Sequence, residues 1–134
     1  MKENFLFIYG SLLTPSNPFG AYLMENSTLW SKGCIKGTLY DTGDYPAAIY
    51  DTASPNLVHG SIYELGPNRH DIFKVLDEYE GFNEDHLESS EFIRCECEVL
   101  AGNEVKICWT YVYNRSYVHL PAIPSGDYIL YKKG

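Results

Sequence analysis

The sequence predicts one small domain of the mixed α/β class, and three patterns carry that reading. A continuous apolar run, Phe5 to Tyr9, ends at Gly10, as a fully buried strand does where it meets a sharp turn. Ile93, Cys95, Cys97 and Val99 alternate with Arg94, Glu96 and Glu98, the period of a strand with one buried and one wet face. Between these, Ile72, Phe73, Val75, Leu76 and Tyr79 recur at helical spacing. A length of 134 residues suits one core, so a single domain is expected across the whole of 1–134.

The elements follow in chain order. The first strand delivers the turn at Gly10. Pro18 and Gly20 punctuate the next segment, and the mixed stretch Phe19 to Met24 has room for a helical turn or two. Cys34 to Tyr40 reads as a strand interrupted by Gly37, closed by the turn cluster Asp41, Thr42, Gly43 and Asp44. Pro46 then forces Tyr45 into an extended conformation. Ala47 to Tyr50 and Val58 to Leu65 read as two further strands, separated by the polar loop Asp51 to Asn56. After the Gly66-Pro67 break, Asn68 is the expected N-cap of the helix, Asp71 favours its positive end, and Gly81 fits a C-terminal cap. Asn83 to Ser90 is acidic and reads as an exposed loop. Phe92 to Tyr113 reads as a β-hairpin turning at Gly102-Asn103, and the remainder, with Pro121, Pro124 and Gly126, as mostly irregular.

Composition narrows the function classes. A formal charge of -8 repels phosphate backbones and anionic lipid, which argues against nucleic-acid and membrane partners. The apolar run after Met1 lacks the basic flank and length of a signal peptide or membrane span, so the expected location is the cytoplasm. Cys34, Cys95, Cys97 and Cys108 are expected as buried free thiols, because no CxxC pair or histidine cluster offers a metal site. The aromatic share of 15%, with 12 tyrosines, suits strand and core filling, with some phenols left to line a polar pocket.

Two features can carry chemistry. At about 100° per residue, Glu80 falls inside the stripe of Ile72, Phe73, Leu76 and Tyr79, whereas Asp77 and Glu78 point away from its centre. A carboxyl aimed at an apolar interior loses hydration, which raises its pKa towards the range useful for proton transfer. The alternative is that the helix frays at Gly81 and Glu80 reaches water. The second feature is Tyr9-Gly10-Ser11-Leu12, where a glycine turn lets successive N–H groups converge on a carboxylate or an oxyanion, or else serves as a turn and nothing more.

These features occur within a longer series: FLFIYGSL at 5–12, GTLY at 37–40, Gly43 with Tyr45-Pro46-Ala47, and HGSIY at 59–63. LDEYEG at 76–81, Arg94, YVY at 111–113 and Gly126-Asp127-Tyr128 complete it. In this the chain resembles the γ-glutamylcyclotransferases, including their AIG2-like and γ-glutamylamine cyclotransferase branches, over nearly its whole length. The resemblance implies a strongly curved mixed sheet or barrel of about six strands with the Glu80 helix against it. It implies Glu80, the glutamate before glycine in LDEYEG, as the catalytic acid/base, and Tyr9, Gly10, Ser11 and Leu12 as the main-chain cradle of the γ-glutamyl group. Tyr45, Arg94 and Tyr113 join them as implied substrate contacts. The implied reaction cyclises a small-molecule γ-glutamyl substrate to 5-oxoproline and releases the attached amine, with no metal and no cofactor. Two departures bear on substrate recognition: Phe92-Ile93-Arg94 stands where many relatives have Tyr-x-Arg, and Tyr128 stands where tryptophan is common.

Other readings find less in the sequence. Ser11 lacks a GxSxG elbow, and His59, His70, His86 and His119 carry no motif that would pair with it. No HExxH exists for zinc. The sequons at Asn26 and Asn114 mean nothing in the cytosol. The competitor from another class is a non-catalytic module that binds a γ-glutamyl compound or another small metabolite in the same pocket.

Overall fold

The first strand organises the fold, because both of its faces are buried. β1 (Phe5–Ile8) sits between β4 (Leu57–Leu65) and β6 (Glu104–Tyr113) in a computed structural model that describes residues 4–13 and 16–133. Phe5 and Phe7 turn into one apolar cluster with Ile35, Leu39, Val58, Ile62, Val99 and Cys108; Leu6 and Ile8 turn into the other. That second cluster is completed by Leu23, Ile72, Phe73 and Leu76 from the helices. The uninterrupted apolar run of the sequence is thus explained by two cores sharing one strand.

The remaining strands are β2 (Ser27–Asp41), β3 (Pro46–Tyr50) and β5 (Phe92–Ala101). They lie in the order β3-β2-β4-β1-β6-β5, and β2 pairs back onto β5 through Cys34 and Leu100. Five strands therefore close on themselves, with β3 added to the free end of β2. The β1/β6 pair is parallel and every other pairing of named strands is antiparallel. A bend where the register shifts between Leu29 and Ser31 lets one long strand follow the curve of the barrel. β2 accordingly runs well beyond the expected Cys34 to Tyr40.

α1 (Pro18–Asn26) is also longer than expected. Pro18 opens it with its φ already set, and the side chain of Asn17 accepts hydrogen bonds from Phe19 N and Gly20 N at 2.9 and 3.3 Å. α2 (Arg69–Glu80) ends as expected at Gly81, whose φ of 72° is the left-handed conformation that glycine adopts without strain. Asn68 precedes α2 but does not cap it through its side chain, which reaches Asn26 instead at 3.3 Å. The C-terminal segment is mostly irregular, as expected, over 114–127, yet it packs Ile123 and Tyr128 into the barrel-side cluster and ends in a short helix, α3 (Tyr128–Lys133), that was not expected.

All four cysteines are free; Cys97 and Cys108 are buried, while Cys34 and Cys95 are half-buried. Among the described residues no group of His, Cys, Asp or Glu is placed to hold a metal, and no helix is long and apolar enough to cross a membrane.

Candidate active site

Where β1 stops, the chain turns through Gly10 into a short 3-10 turn, Ser11–Leu13, closed by Leu13 N donating to Gly10 O at 2.9 Å. The first N–H groups of such a turn have no partner within it and point back along its axis. Gly10 is needed here for space rather than for an unusual φ, since it is not among the glycines of positive φ. A Cβ on it would lie 2.7 Å from Pro46 Cγ, so the turn can sit against the Pro46 ring only without one.

Facing this turn is a cavity of about 170 Å³, lined by Gly10, Leu12, Tyr45, Glu80, Glu91 and Tyr111 among others. Glu80 reaches it from the last residue of α2, and Glu91 from the residue just before β5. Glu91 N donates to Gly81 O at 3.2 Å, and Glu91 O accepts from Asn114 N at 2.8 Å, so its backbone is fastened to the end of the helix that carries Glu80. The phenol of Tyr45 donates to the Glu91 carboxylate.

The electrostatics follow from this enclosure. Burial pushes the Glu80 carboxyl up to about 8, and the neighbouring charges of Glu91 and Asp77 act in the same direction. Among the described groups nothing pulls it back. Tyr45 is likewise held above the ordinary phenol range, by burial and by its bond to Glu91. The pocket thus combines two carboxyl groups, apolar walls and several phenols that stay protonated.

Behind the lining is a fixed network. Arg94 donates to both oxygens of Asp77, at 2.8 and 3.1 Å, and its guanidinium lies 4.1 Å from the Phe73 ring centre and 4.9 Å from that of Trp109. Burial works against this cation, but the Asp77 hydrogen bonds and charge outweigh it and raise its pKa. Asp77 also accepts from the Tyr111 phenol at 2.6 Å, and Tyr111 O accepts from the Tyr9 phenol at 2.6 Å. Ala48 N–H donates to that same Tyr9 oxygen at 3.3 Å. Burial is the chief reason both phenols stay far above their ordinary range.

The structure brings together Tyr9, Gly10, Leu12, Tyr45 and Glu80 of the residues named from the sequence, all lining one cavity. Ser11 contributes its backbone to the turn. Arg94 and Tyr113 are not in the lining: Arg94 is held behind it by Asp77, and Tyr113 packs edge-on to Phe92 with ring centres 5.4 Å apart. Asp77, read as facing away from the stripe, is half-buried and engaged by both Arg94 and Tyr111. Tyr79, read as part of that stripe, is 36% exposed and stacks on Phe19. Glu91 and Tyr111 were missed. The strand alternation that places Ile93 and Cys95 together, continued one step back, reaches Glu91 and was the available signal.

A five-stranded barrel with a helix-end carboxyl and a strand-end turn lining one small pocket is the frame of the site, and comparison with known proteins gives its family. The chain belongs to the family described as "Gamma-glutamyl cyclotransferase, AIG2-like", whose sequence model matches residues 6–130. It is 35% identical over 111 residues to a Niallia circulans protein named γ-L-glutamyl-butirosin B γ-glutamyl cyclotransferase, covering 82% of this chain and 67% of that one. Its fold is similar to that of an AIG2-like protein of Mus musculus, with a TM-score of 0.68 at 19% identity over 93% of this chain and 87% of that one. YkqA of Bacillus subtilis matches with the same TM-score of 0.68 at 20% identity over 98% of this chain, which spans only 43% of the YkqA chain.

Proposed function

We propose that this protein is a γ-glutamyl cyclotransferase that converts a γ-glutamyl group to 5-oxoproline and releases the attached amine or amino acid. The observation that carries the reading is that Glu80, half-buried, lines the same small cavity as Gly10 and Leu12 of the turn. In the reaction the α-nitrogen attacks the γ-carbonyl of the same molecule, a C–N bond closes the five-membered ring, and the original amide C–N bond breaks. Glu80 as carboxylate takes the proton that the attacking ammonium must lose and returns a proton to the departing nitrogen. The substrate ammonium, once bound, favours the carboxylate form of Glu80 and so offsets the burial that raises its pKa.

The N–H groups of the turn would receive the substrate carboxylate or the oxyanion, an interaction whose loss commonly lowers rate by about 10² to 10³. The network of Arg94, Asp77 and Tyr111 would position the pocket wall rather than touch substrate. This activity is proposed to lie in one domain over 1–134 and in the cytoplasm.

The test is 5-oxoproline release from a panel of γ-glutamyl amides by wild type and Glu80→Gln. Turnover in wild type and a loss of about 10³ or more in the variant, with the fold intact, is the expected result. Tight γ-glutamyl binding without product from wild type would favour a binding module instead, and an active variant would remove Glu80 from the chemistry.

A further inference from the structure

The γ-glutamyl head brings one ammonium and one carboxylate, whereas the pocket presents two carboxyl groups. Glu80 takes the α-ammonium in the reading above, and no group of the γ-glutamyl head is left with a positive charge to answer Glu91. Among the described residues, none that lines the cavity is cationic. The guanidinium of Arg94, on β5, is occupied by Asp77.

Glu91 is also held ready to meet a ligand. Its backbone is bonded on both sides, to Gly81 and to Asn114, and its carboxylate is anchored by Tyr45 while still lining the cavity. A single phenol satisfies only part of what a carboxylate can accept, since its two oxygens offer about four lone-pair sites. Close to a wall formed by Phe92, Leu12 and Tyr45, a cation bonded to the remaining sites is poorly screened by water.

We infer that Glu91 is a specificity residue that selects γ-glutamyl compounds whose released amine carries a further positive charge near the scissile amide, such as γ-glutamylated diamines and polyamines. This rests on the cyclotransferase reading, with Glu80 serving the head group and Glu91 the leaving group. A neutral leaving group of the same length fills the same space but leaves Glu91 facing no opposite charge.

The experiment compares kcat/KM for two γ-glutamyl amides matched in length, one of diaminobutane and one of pentylamine, with wild type and Glu91→Gln. Wild type should prefer the diaminobutane compound by about tenfold, the preference should shrink as salt is raised, and it should collapse towards one in the variant. The ratio is the readout because changes in the shared chemistry, including any change at Glu80, cancel from it. Equal efficiency on both substrates in wild type, or a ratio unchanged by the substitution, overturns the inference while leaving the cyclotransferase reading standing. Absence of 5-oxoproline from both substrates overturns the reading and the inference together. Should Glu91→Gln fail to fold, the salt dependence of the wild-type ratio decides the matter: a ratio that is flat from low to high salt overturns the inference.

Discussion

Glu80 is placed where its charge is expensive, and that has a thermodynamic signature separate from catalysis. Its carboxyl titrates near 8 in the folded protein and near the ordinary carboxyl range of about 4.3 when unfolded. The folded state therefore holds the proton more tightly. The associated stability is fully present below about pH 4 and is lost as pH rises through 8. Glutamine does not titrate, so Glu80→Gln should unfold at a higher temperature than wild type at pH 9, by up to about 5 kcal/mol in stability, and the two should converge near pH 4. Equal melting temperatures across this range would mean that Glu80 is solvated. The same ionisation sets the rate: kcat/KM should fall below pH 8 as the free carboxylate is lost, with a midpoint near 8 after allowance for the substrate amine. Of these residue-level properties, helical spacing was enough to aim Glu80 inward. The size of its shift was not legible, because its chief cause, burial, depends on distant segments closing over the end of the helix, and the next, the charge of Glu91, comes from outside the helix altogether.

At the level of elements, the turn after β1 and the start of β3 form one unit. A methyl group added at Gly10 meets Pro46 Cγ at 2.7 Å and Cδ at 3.3 Å, both atoms of a ring and not of the backbone. Gly10→Ala should therefore lower stability by about 1–3 kcal/mol and weaken substrate binding. Adding Pro46→Ala removes the obstructing ring atoms and should restore most of both, as followed by thermal melting and KM; a double variant no better than the single would show that the turn needs glycine for another reason. The contact is long-range, which is why a sequence reading could see a glycine turn but not what the glycine avoids. The hairpin of β5 and β6 and the span of α2 were legible because each is fixed by a local period and a local cap. The full length of β2 was not, since its pairing with β4 and its bend after Leu29 are set by closure of the barrel.

For the whole molecule, the closure itself is uneven. β2 meets β4 along most of its length but meets β5 in register at Cys34 and Leu100 alone. A barrel opens where its ladder is shortest. Amide hydrogens of residues 33–35 and 99–101 that bridge this seam should exchange faster than those of β1 with β4, and a thiol reagent should reach Cys34 before Cys97 or Cys108. Protection of the seam equal to that of β1 would refute this order.

The central seat of β1 has a further consequence, for the time course of synthesis. Its partners are β4 and, in parallel, β6, so the second edge of the first strand made stays unpaired until residues near Trp109 and Thr110 exist. The cavity draws on Ile8, Gly10, Leu12, Glu80, Glu91 and Tyr111, which come together only in that same closing event. A nascent chain can thus hold its helix and its early strands while having no pocket at all. Such non-local pairing makes for slow folding, and catalytic competence should return in one step with the last parallel pairing during refolding. Turnover is in this sense a reporter of completed assembly.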